Sequence, residues 1–189
     1  MPKERIQEKK TKENKKRRIR TLDIALISLF SAVIAILSLI SIPFAIPFSM
    51  QSLGILFALA LLGGKRGTLS ILVYLALGAV GLPIFAGANG GLGVFLGPTG
   101  GFLVGWLFAG LCAILIESIV KSARAAKILS LSLALVISYT MGTAWYIVYL
   151  GGLGEISLWS ALIACVLPFV PFDVLKLVLA YKISNKIKK

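Results

Sequence analysis

The chain has 189 residues, 58% of them hydrophobic and 14% charged, with a mean hydropathy of +0.96. A soluble domain carries about 25% charged residues, so this composition belongs to a membrane protein. With no histidine there is no Ser–His or Cys–His dyad and no imidazole metal ligand, and with no Gly-x-x-x-x-Gly-Lys-Ser/Thr segment there is no P-loop for ATP hydrolysis.

Charge is concentrated at the start. Residues 1–20 hold ten Lys/Arg against three Glu, a net +7, and the rest of the chain contributes +6. We read a basic N-terminal tail over 1–20 and one integral membrane domain over 21–189. A polybasic run directly before an apolar stretch is an orientation signal that rests on anionic lipid. It is not read as a nucleic-acid arm, nor as a cleaved leader, because no small-residue cleavage site follows.

A bilayer core of about 30 Å takes roughly 20 apolar residues per helix. The first predicted span, 22–42, ends at Pro43 and carries small residues four apart, Ser28/Ala32 and Ser31/Ala35, a spacing that lets another helix approach closely. Spans over 48–63 and 67–82 flank Gly63-Gly64-Lys65-Arg66; both are short and call for close packing or local thinning. Spans over 100–120 and 128–150 are separated by Lys121, Arg124 and Lys127. The last apolar stretch, 157–181, contains Pro168 and Pro171 and runs into Lys182, Lys186, Lys188 and Lys189. Cys112 and Cys165 lie singly in apolar runs and read as small packing residues.

Basic residues alternate along this series. With the tail inside, the chain returns to Lys65-Arg66, to Lys121–Lys127 and to the C-terminal lysines, whereas 43–49, 83–99 and 151–157 contain no Lys or Arg. The positive-inside rule then predicts an all-α bundle of six transmembrane helices with both termini cytoplasmic.

Two features inside the apolar body point to chemistry. Asp173 and Lys176 stand at i and i+3, on one face of a helix. Each costs about 2.5–3.5 kcal/mol at the bilayer centre, so the pair marks either a structural ion pair or a ligand site facing a cavity. Pro168 and Pro171 are expected to break the helix just before them and leave Asp173 near the start of a final helix, where it can cap it. The outer loop between helices 3 and 4, residues 83–101, has seven glycines, two prolines and no charge. Bare backbone of this kind suits a cavity lining or lid as well as a plain connector. Asn89 is its one side-chain amide, able to donate and accept.

With these residues in view, the sequence closely resembles the BioY family, the biotin-specific substrate-binding (S) components of energy-coupling factor (ECF) transporters. The resemblance runs from about Thr21 to Lys182. It is carried by Ile42-Pro43 through Gln51-Ser52-Leu53-Gly54, Gly63-Gly64-Lys65-Arg66-Gly67, Gly81-Leu82-Pro83-Ile84-Phe85-Ala86-Gly87, Gly90-Gly91-Leu92-Gly93, Gly97-Pro98-Thr99-Gly100-Gly101 and Pro168-Phe169-Val170-Pro171-Phe172-Asp173-Val174-Leu175-Lys176. It implies capture of biotin at a bacterial plasma membrane, with Asn89, Asp173 and Lys176 as ligand residues. By chemistry, Asp173 and Asn89 suit the ureido ring and Lys176 suits the carboxylate. Phe85, Phe95 and Trp106 are candidates to cover the apolar rings, and Gly91 is a further candidate binding residue. The stretch after Gly100-Gly101 reads Phe102-Leu103-Val104 and lacks the arginine that some members carry there.

The resemblance also implies partners: a transmembrane coupling subunit docking on Ser28, Ala32 and Ala35, and two ATPase subunits supplying energy. No metal or cofactor is implied, and the chain is not read as an enzyme. The alternatives are an S component for another vitamin, or a stand-alone ion-coupled transporter with Asp173 as proton carrier.

Overall fold

The computed structural model describes residues 2–43, 46–151 and 156–187, with side chains from Thr21 onward. The basic side chains of 1–20, residues 152–155 of the third outer connection, and residues 188–189 lie outside the described part. Eight helices are described: α1 (Pro2–Leu39), α2 (Gln51–Leu62), α3 (Gly64–Ala79), α4 (Gly93–Leu96), α5 (Gly100–Ile119), α6 (Ala123–Tyr149), α7 (Leu158–Cys165) and α8 (Val170–Ile187). Helical backbone is continuous from Pro2 to Leu39, so it does not stop where the charge stops.

Helix α2 sits at the centre. Its sequence is apolar all round, as a helix with no solvent face must be, and Ile55, Leu56 and Ala58 are fully buried. It packs against α1, α3 and α8, while α5 packs most extensively on α6 and also meets α3. Small residues allow these approaches. A Cβ at Gly54 would press on the Ile34 backbone of α1, and one at Gly64 on the Ala113–Ile114 backbone of α5. The outward faces keep Leu29 and Ile36 of α1 and Val174 and Leu175 of α8 exposed. In water these would be a liability; against lipid tails they are the expected surface.

The structure refines the predicted spans: two are as short as expected, the last is broken near its prolines as expected, and the second starts later than expected. By length and apolarity, Thr21–Leu39, α5 and α6 each suffice to cross a bilayer, and α7 with α8, bent by 47° at the break between them, is a candidate for a fourth crossing or a re-entrant segment. Helices α2 and α3 have 12 and 16 residues, about 18 and 24 Å, short of the hydrocarbon thickness. Residues 48–49 belong to no helix: β2 (Phe48–Ser49) pairs antiparallel with β1 (Ser41–Ile42), turning the expected outer connection into a small hairpin. The final apolar stretch divides after Cys165. Pro168 lies in the break, and Pro171 sits in the first turn of α8, where a missing N–H removes no intrahelical bond.

At the basic end, Arg66 of α3 pairs with Asp23 of α1 at 2.7 Å, and the Lys127 ammonium of α6 donates to Ser184 Oγ and Asn185 Oδ1 of α8 at 3.0 Å. The glycine-rich loop lies at the other end and is pinned down. Gly91 N–H donates to Gly78 O (2.7 Å), Phe85 N–H to Asn89 O (2.9 Å) and Trp145 Nε1–H to Gly97 O (2.9 Å). Between Phe85 and Asn89 the chain reverses through Gly87 (φ 76°) and Ala88 (φ 57°). Ala88 is the described non-glycine residue in the left-handed region.

Candidate functional site

A cavity of about 440 Å3 opens between the glycine-rich loop, the hairpin and helices α2, α5, α6 and α8. That is within the range of about 300–1,000 Å3 typical of small-molecule sites. Asp173 and Lys176, each 6% exposed, supply the charged groups that border it.

These two residues belong to a wider cluster. Asp173 Oδ1 accepts from the Lys176 ammonium (2.9 Å) and from the Ser52 hydroxyl (2.8 Å), and Oδ2 accepts from the Tyr139 hydroxyl (2.6 Å). Lys176 also donates to Ser49 O and Ser52 Oγ, both at 2.9 Å, and lies 4.5 Å from the centre of the Phe48 ring. All three ammonium donors are therefore occupied within the protein, whereas a carboxylate offers about four acceptor positions and three are filled. One acceptor position on Asp173 Oδ2 is left unfilled by the described residues. The place of Asp173 near the start of α8 predicts a cap on its own helix; instead the carboxylate accepts from Ser52 of α2 and Tyr139 of α6.

Asn89 borders the cavity from the exposed loop, donating from Nδ2 to Ala86 O at 2.9 Å. Its Oδ1 accepts no hydrogen bond from a described residue. Phe85 and Trp106 line the cavity. Phe85 is 1% exposed and held edge-on between Tyr74 (5.4 Å) and Phe95 (5.6 Å). Phe95 stands behind that wall, outside the lining, and so does Gly91, whose φ of 93° and N–H bond to Gly78 fix the loop. On α1, Ser28 and Ala32 are exposed, while Ala35 is half-buried against the core. Ser31 turns inward and donates toward Ser70 O at 2.9 Å.

Sequence reasoning gave no role to Ser49, Gln51, Ser52, Tyr139 and Phe48. The signal that could have found three of them is the polar interruption Ser49-Met50-Gln51-Ser52 at the mouth of an otherwise apolar stretch. Gln51 is 8% exposed, borders the cavity, and its Nε2 has no partner among the described residues. Such a buried donor costs about 1–3 kcal/mol until something accepts from it.

The sequence profile described as "BioY family" matches residues 9–189. The chain is 40% identical over 176 residues to a protein of Rhodobacter capsulatus named biotin transporter BioY, covering 87% of this chain and 92% of that protein. It is 36% identical over 163 residues to a Thermotoga maritima protein of the same name, covering 85% and 92%. Among solved structures it superposes on one described as the S-component for biotin from an ECF-type ABC transporter, with TM-score 0.75, 29% identity, and 90% and 93% of the two chains covered.

Proposed function

The chain belongs to the BioY family, and we propose that it captures biotin from outside the cell as the S component of an ECF transporter. The observation that carries this reading is the buried Asp173–Lys176 pair, held by Ser52 and Tyr139 at one side of an aromatic-walled cavity. A ureido ring presents two N–H donors and one carbonyl. Asp173 Oδ2 has an acceptor position for one N–H, and Asn89 Oδ1 is an acceptor for the other. The Gln51 amide is the donor available to the carbonyl.

Lys176 takes a different part from the one chemistry alone suggests. It stands 2.9 Å from Asp173, at the ureido end, and its donors are already engaged. Its work is to neutralise and orient the carboxylate rather than to meet a ligand carboxylate at the far end of the valerate chain. Phe85 and Trp106 cover the apolar rings, displacing water and sharpening each polar contact.

In the membrane, six crossings with both termini cytoplasmic agree with the distribution of lysines and arginines; α2 and α3 then cross a locally thinned or protein-filled region. The exposed Ser28 and Ala32 form the small-residue face on which a coupling subunit docks, with Ala35 at its inner margin. Energy comes from the two ATPase subunits of the module. In proteoliposomes, uptake of labelled biotin is expected only with the coupling and ATPase subunits and ATP. Biotin counterflow driven by a pH gradient through this chain alone would replace the S-component reading with a proton-coupled transporter.

A further inference from the structure

The charges that border the ligand cavity form a single pair. Asp173 and Lys176 are the charged residues of its described lining, and they stand 2.9 Å apart, so the lining carries no net charge. Lys176 has no donor to spare. Its ammonium gives one bond each to Asp173 Oδ1, Ser52 Oγ and Ser49 O, all at 2.9 Å, and the Phe48 ring covers it at 4.5 Å. Turning it toward a second anion would break one of those bonds and leave Asp173 short of its counter-charge, which is costly for a buried carboxylate.

Among the described residues no other cation borders this cavity. Residues 44–45 and 152–155, outside the described part, contain no Lys or Arg. The remaining described cations belong to the opposite end, marked by the Arg66–Asp23 pair and the Lys127 contact with Asn185. Outside the cluster around Asp173 and the Gln51 and Asn89 amides, the side-chain polar groups of the lining are neutral: the Thr99 and Ser138 hydroxyls, the Trp106 indole N–H and the Cys165 thiol. The start of α5 offers no anion cradle in their place. Its Gly100, Phe102 and Leu103 N–H groups are turned back on Gly97 O and Thr99 O, and Gly100 and Gly101 do not border the cavity.

We infer that the site accepts amides of biotin as well as the free acid, because nothing charged meets the far end of the valerate chain. This rests on the biotin reading above, which sets the ureido ring against Asp173 and leaves the carboxyl end to the neutral wall. A carboxylate there gains no ion pair and still gives up water, a loss that is larger for an ion than for an amide. The neutral donors of the wall serve a carboxylate oxygen and an amide oxygen alike. The primary amide, of nearly the same size and without charge, is therefore bound about as tightly as biotin, and the substrate class is set at the ureido end.

The test is competition against labelled biotin on the purified full chain in detergent, with unlabelled biotin and biotinamide as competitors. Affinities that differ by less than about tenfold would support the inference. Biotinamide weaker by about tenfold or more, the size of one hydrogen bond to a charged group, would show that the carboxylate is recognised and overturn it, with the biotin reading intact. Binding of neither compound by the folded chain would overturn the biotin reading and this inference together. Lys176→Met separates the remaining possibility, that Lys176 leaves Asp173 to meet the ligand carboxylate. Biotin and biotinamide should lose affinity equally in that variant, whereas a loss confined to biotin would overturn the inference. The wild-type comparison decides the matter even where the variant is too unstable to purify.

Discussion

Asp173 accepts from three donors at once, so each neighbour can be separated by what its removal leaves behind. Lys176→Met strands a buried carboxylate and is expected to lower stability by about 3–5 kcal/mol, readable as an earlier unfolding transition in detergent. Gln51→Leu should act in the opposite sense on the ligand-free protein. Removing an unpaired buried amide is expected to raise its stability by about 1 kcal/mol while weakening biotin about tenfold, as the loss of one hydrogen bond would. A variant that lost stability without losing affinity would make Gln51 a structural residue. Asp173 and Lys176 were legible in the sequence because a charge inside an apolar run is costly enough to need a reason. Ser52 and Tyr139 were not, since hydroxyls are unremarkable on membrane helices. Their importance lies in meeting Asp173 across 121 and 34 residues of chain.

Among the elements, the glycine-rich loop acts through its fit against α3. A Cβ at Gly78 would run into the Phe85 ring, so Gly78→Ala is expected to cost about 1–3 kcal/mol by overpacking and to weaken biotin by shifting the aromatic wall. Gly81→Ala is the control. Its Cβ would meet nothing within 4 Å, but φ is 114°, so stability should fall through backbone strain with affinity unchanged. Thermal unfolding and ligand titration of the two variants distinguish a wall from a tether; equal affinity losses would contradict the distinction. The break before α8 could be foreseen from Pro168 and Pro171, because proline chemistry is local. The hairpin at 41–49 could not, and it leaves α2, at 12 residues, shorter still than the short span expected over 48–63. Hydropathy reports the cost of leaving water, and Phe48 is apolar whether it lies in a strand or a helix. Gly91 and Phe95 were candidates through the resemblance; the structure ties the Gly91 N–H to Gly78 O and packs Phe95 edge-on against Phe85, outside the cavity lining.

For the molecule as a whole, the ligand cavity and the basic end lie at opposite ends of the bundle, which gives the proposed orientation a direct check. In a background with Cys112 and Cys165 replaced by alanine, Gly87→Cys should react with an impermeant thiol reagent added to intact cells. Arg124→Cys should react only after permeabilisation. The reverse pattern would invert the topology and place the biotin cavity inside. The bundle class was legible from composition, and the order of basic loops gave the orientation its argument. The bent α7–α8 pair needed three dimensions, because its placement follows from packing on α2 and α6. The decisive measurement is equilibrium binding of biotin to the purified full chain in detergent, wild type against Asp173→Asn, with Asp173→Asn/Lys176→Met to remove the stranded lysine and keep the fold. Tight binding by wild type, weakened about 100-fold or more in both folded variants, is expected from the loss of a charged acceptor. Undiminished biotin binding by the folded double variant, or none by the folded wild type, would contradict a ureido-reading site at Asp173.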